Sequence, residues 1–108
     1  MAAAFAVTCA LFRPWPQNTL RGFASIRLAD IDLIIHDIAV HQLGNVRWAQ
    51  LPAKPQVRDG ALVKHADGRI QHIRMLEFGS RAARSAFSAA VVAAVLEREP
   101  AAFGGDAA

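Results

Sequence analysis

The chain has 108 residues, which is room for one domain, and at this size only about 65% of the unfolded surface is buried on folding, so a dense core or a partner subunit is needed. Twelve Lys and Arg against nine Asp and Glu give a net charge of +3, and ten of the twelve are Arg. A single cysteine, Cys9, excludes an internal disulfide, a CxxC redox pair and a cysteine zinc site, and fits a reducing cytoplasm.

The apolar residues 2–12 are too few to span a bilayer and lack the positive start of a secretory signal. Pro14-Trp15-Pro16 separates them from the patterned chain, so residues 1–19 are expected to be a poorly ordered extension, with a leader remnant or an upstream start as alternatives. From Leu20 the pattern changes to short β-branched runs broken by turn residues. In residues 20–28, Ala24, Ile26 and Leu28 share one face; in residues 33–41, Ile34, His36, Ile38 and Val40 share one. The second run is apolar on both faces and is expected to be central. Gly44-Asn45 predicts a hairpin into a third strand, 46–51.

Residues 52–68 hold two prolines and two Asp-Gly turns and are expected to form a long loop or a loose hairpin. Residues 69–78 alternate as a fourth strand, up to Gly79. Ser80 is a good N-cap, and Ala83, Phe87, Ala90, Val91, Ala94 and Val95 recur at helical spacing up to Glu99, before Pro100. Residues 100–108 are expected to be a flexible tail. The expected fold is α+β: a small antiparallel four-stranded sheet followed by one C-terminal amphipathic helix, a single β4α domain over residues 20–99. Its open sheet face favours a homodimer.

Four histidines raise the question of catalysis. His36 and Asp37 are neighbours on a strand and point to opposite faces, and His36 lies among apolar residues, as a hydrogen-bonded core histidine would. His41 and His72 could meet only if the strands bring them together. HExxH, a Gly-rich phosphate loop and a nucleophile elbow are all absent from the sequence. No enzyme activity, cofactor or metal is expected.

The distribution of charge points to nucleic acid. Between residues 46 and 84, eight cations (Arg47, Lys54, Arg58, Lys64, Arg69, Arg74, Arg81, Arg84) face three acids, a surplus of five, so the rest of the chain is net negative. This is the footprint of a surface that reads a phosphate backbone. Arg81 and Arg84 stand in the first helical turn, where the dipole disfavours cations by roughly 0.3–1 kcal/mol, a cost that a bound anion would offset. Solvated arginines, or pairing with Glu77, would explain them equally well. Trp48, beside Arg47, could stack a base, although a lone tryptophan in a small sheet is more often core or subunit interface. The candidate nucleic-acid-binding residues are therefore Arg47, Trp48, Lys54, Arg58, Lys64, Arg69, Arg81 and Arg84. The rival reading is a structural or protein-interaction domain whose arginines reflect genome composition.

Three blocks, Arg21-Gly22-Phe23-Ala24-Ser25-Ile26-Arg27-Leu28, Ile34-Ile35-His36-Asp37-Ile38-Ala39-Val40 and Ala49-Gln50-Leu51-Pro52-Ala53-Lys54, resemble in order and spacing the stage V sporulation protein G family. Its members have "A-S-I-x-L", "V-I-H-D-I-x-V" and "A-M-P-S-K" segments. The resemblance spans roughly residues 20–98. It departs from the family where Ile73 replaces a proline, in a longer loop between Lys54 and Arg69, and in the N-terminal extension. What it implies is a small cytoplasmic bacterial or phage dimer that binds DNA or RNA as a regulator. It does not carry the pathway with it.

Overall fold

A computed structural model describes residues 5–103. Four strands, β1 (Val7–Gln17), β2 (Leu20–Leu28), β3 (Leu33–Leu43) and β4 (Val46–Gln50), form an antiparallel sheet in the order β1-β2-β3-β4. A projecting segment follows, with β5 (Ala53–Pro55), β6 (Val57–Arg58), β7 (Ala61–Leu62) and β8 (His72–Arg74), and then the helix α1 (Arg81–Arg98). The α+β class and the C-terminal helix on a four-stranded sheet agree with expectation. The identity of the fourth strand does not.

That strand is β1, from the segment expected to be a poorly ordered extension. It pairs with β2 from Val7↔Leu28 to Gln17↔Leu20, and Phe5 just before it meets Phe78 and Phe87 at ring-centroid distances of 6.4 and 5.7 Å. Two prolines are tolerated because β1 is an edge strand, where a missing N–H need not break a ladder bond. Gly22 lets β1 in: a Cβ there would lie 2.5 Å from the Arg13 carbonyl oxygen and 2.6 Å from the Phe12 ring. Residues 1–4 lie outside the described residues.

The expected strand over 69–78 shrinks to three residues, His72–Arg74, which pair with Ala53–Pro55 outside the main sheet. Its alternation is real, but its partner is the short, exposed β5. Together they form the stalk of an arm that branches into two small hairpins. One closes at Asp59-Gly60, both at positive φ as a type I′ turn requires, and the other through the Lys64↔Ile70 bridge and the Asp67-Gly68 turn.

The core lies between the sheet and α1. Ala24, Ile26, Ile38, Val40 and Ala49 meet Phe87, Val91 and Val95 on the helix. Ile26, Ile38, Val40, Val91 and Val95 are fully buried, each stabilising the fold by roughly 1.5–3 kcal/mol relative to exposure. Ser80 caps α1, its hydroxyl accepting from the Ala83 N–H at 3.1 Å. Past the helix the chain turns back and buries Ala102 and Phe103, so the expected flexible tail is corrected as far as residue 103; residues 104–108 lie outside the described residues. No helix among the described residues is long and apolar enough to cross a membrane.

Candidate nucleic-acid interface

The pairing register assigns each side chain to one of two faces. Phe12, Ala24 and Ile38 sit side by side facing the helix, whereas Arg13, Phe23, Ala39 and Gln50 form a row across the opposite, open face. A β-bulge at His36-Asp37 keeps this alternation in phase. Ala24↔Ile38 is followed by Ile26↔Ile35, so one extra residue is inserted into β3, with Asp37 at φ 58°. The bulge overturns two expectations. Ile35, not Ile34, packs against the core, and His36 is exposed instead of buried, with Nδ1 2.8 Å from the Ser25 hydroxyl. Asp37 reaches Arg13 at 3.6 Å, and the Arg13 guanidinium lies 5.5 Å from the Phe23 ring centre.

Trp48 is on the open face, half-buried, and is not a core residue. Its cross-strand partner His41 lies parallel to it, with ring centroids 5.1 Å apart and planes within 6°. His41 is held at both nitrogens: Nε2 is 3.1 Å from Gln50 Oε1 and Nδ1 is 3.0 Å from Thr19 Oγ1. An amide oxygen can only accept, so Nε2 carries the proton, and Nδ1 of the neutral ring accepts from Thr19. Burial lowers the His41 pKa, more than its bond to Gln50 raises it, and this favours the neutral ring.

Arg47, next in sequence to Trp48, points the other way. Its Nε donates to the buried Gln42 amide oxygen at 2.9 Å, and its guanidinium sits 4.7 Å over the Phe103 ring centre. The expected side-by-side pair is thus split between the two faces of β4. Both residues nonetheless line one open groove of about 1280 Å³ that wraps around the end of β4, between the open face, the base of the arm and the first turns of α1. Arg13, Arg74 and Arg84 line it too, as do Asp37 and Glu77. Arg13 pairs with Asp37, and Arg74 with Glu77 at 3.5 Å, whereas Arg47 and Arg84 have no ion pair among the described residues. The groove therefore carries two uncompensated cations, one on a strand and one on the helix. On its helical wall, Ser88 accepts the outward Ala49 N–H at 2.9 Å, covering part of the β4 edge.

The other expected residues are dispersed. Lys54, Arg58 and Lys64 are exposed on the arm and make no ion pair among the described residues; Arg69 is bound to Asp67 at 2.7 Å. Arg81 is exposed in the first turn of α1, outside the groove lining, and Glu77 pairs with neither Arg81 nor Arg84. The structure therefore unites Arg47, Trp48 and Arg84 and adds Arg13, Phe23, His41, Gln50 and Arg74. Arg13 belongs to the segment read as an extension, and no sequence spacing links it to Asp37 or Phe23. His41 sits on β3 in the main sheet and His72 on β8 in the arm. No three His, Cys, Asp or Glu side chains cluster as a metal site would require among the described residues. Comparison of the chain with family models, with curated proteins and with solved structures found no match.

Proposed function

We propose that the chain is a small nucleic-acid-binding protein of the regulatory kind, bacterial or phage in origin and cytoplasmic, which holds phosphates in the β4 groove and along the arm. The observation that carries the reading is the pair of uncompensated arginines, Arg47 and Arg84, in one groove with the aromatic plate of Trp48. Cations without acidic partners leave their charge to an outside anion, and backbone phosphates supply anions at regular intervals. Lys54, Arg58 and Lys64 extend the basic surface onto a segment that projects from the body. The motif resemblance to the stage V sporulation protein G family points to the same class of ligand.

Gel shift at low salt with single-stranded DNA, duplex DNA and RNA tests the reading. At least one of the three should shift at micromolar protein. If none does, the chain is a structural or protein-interaction domain. One observation favours that second reading or a homodimer: Leu11, Ile34, Leu43 and Val46 are exposed on strands of the open sheet, Val46 at 63%. Sedimentation of the isolated chain decides whether a second copy covers them.

A further inference from the structure

The side of the Trp48 ring away from His41 singles out one kind of nucleic acid. Its inner side is occupied by His41 on β3. The outer side looks away from the sheet, because β4 is the last strand and none pairs with its outer edge among the described residues. Trp48 lines the groove from the open face, Arg47 lines it from the opposite face of β4, and Arg84 lines it from α1. The ring behind the plate is held: His41 is bonded to Thr19 and Gln50, so it has little freedom to lose when something stacks in front of Trp48.

Resting on the nucleic-acid reading above, we infer that the groove takes a single strand, with one unpaired base stacked on the outer face of Trp48 and the flanking phosphates on Arg47 and Arg84. A duplex presents base edges and phosphates and keeps the faces of its bases stacked inside. To offer one to Trp48 it must first unstack and unpair a nucleotide. A single strand has faces to give, and an aromatic plate takes any base because every base has a π-face. Gln50, fixed beside the stack by His41, puts an amide at the edge of the plate, where it can meet the polar rim of a base.

The test separates stacking from charge. Trp15→Phe leaves Trp48 as the one tryptophan of the chain. This protein is titrated with a short oligothymidylate, with an abasic strand of the same length, and with a duplex of that length, all at one salt concentration. Oligothymidylate should quench Trp48 fluorescence and bind roughly 5- to 150-fold tighter than the abasic strand, the range for one stacked base. Trp48→Ala should bring the two strands level, and Trp48→Phe should keep most of the difference. Equal affinity for the two strands without quenching, or tighter binding of the duplex, overturns the inference while leaving nucleic-acid binding intact. Binding of none of the three probes overturns the nucleic-acid reading itself. The comparison of strands on the tryptophan-bearing chain stands even if Trp48→Ala fails to fold.

Discussion

Replacing Gly22 by alanine tests whether β1 belongs to the sheet. The added Cβ would stand 2.5 Å from the Arg13 carbonyl oxygen, 2.6 Å from Phe12 Cζ and 2.9 Å from Phe12 Cε1. The aromatic ring has some freedom to tilt, but the carbonyl belongs to the backbone paired at Pro14↔Gly22 and moves only if β1 moves. Overpacking of this kind costs about 1–3 kcal/mol, and a clash with backbone belongs at the upper end. Against it, alanine in a strand is favoured over glycine by roughly 0.5–1 kcal/mol. The net expectation is a loss of about 2 kcal/mol, or roughly 8–16 °C in melting temperature for a domain of this size. Urea denaturation of Gly22→Ala and of the Gly22→Ala, Phe12→Ala double variant measures it. Removing the ring should relieve only part of the added strain, because the clash with the carbonyl remains. If Gly22→Ala is as stable as the parent or more so, β1 does not lie against β2 at this distance.

Three further outcomes follow from the packing. Phe103→Ala should cost about 3 kcal/mol by the usual scale for a buried phenylalanine and should free Arg47 from its aromatic neighbour, both measurable by denaturation, whereas a frayed tail would lose nothing. Since burial lowers the His41 pKa below 6.5, the unfolded chain takes up that proton first; the His41 contribution is complete above about 6.5 and falls as pH drops through 6.5 toward the folded value. His41→Gln should flatten this part of the stability profile, and an unchanged profile would contradict the assignment. Changing Lys54, Arg58 and Lys64 together to alanine should leave the melting temperature unchanged, because all three are exposed on the arm, yet lower the salt slope of single-strand binding by about 2 if each meets a phosphate.

Local signals are legible where they act locally. Ser80 caps the helix, Phe87, Val91, Ala94 and Val95 form its buried stripe, and the Gly44-Asn45 and Asp59-Gly60 turns close hairpins, since each depends on a few adjacent residues. Counting alternate residues along β3 fails at His36-Asp37, because a bulge adds a residue that period-two counting cannot see. β1 is hidden by its prolines, which argue against a strand everywhere except at a sheet edge. The matching signal, Gly22, gains meaning only once Phe12 lies above it. The site is partly legible for the same reason. The distribution of charge locates the basic stretch, residues 46–84, and picks out Arg47, Trp48 and Arg84, but their meeting depends on the helix returning beside the β4 edge. Arg13 and Asp37 are brought together by an edge strand and a bulge, both of them long-range features of the pairing.

In the proposed function, Arg47 and Arg84 hold the phosphates of a nucleic-acid strand in the β4 groove. The most direct measurement is the affinity of the chain and of its Arg47→Ala, Arg84→Ala double variant for a single-stranded oligonucleotide across a range of salt concentrations. With two phosphates of a single strand no longer neutralised, the magnitude of the log–log slope should fall by about 1.4, and binding should weaken most at low salt. An equal slope and equal affinity for the two proteins would contradict the claim and take the strand out of the groove.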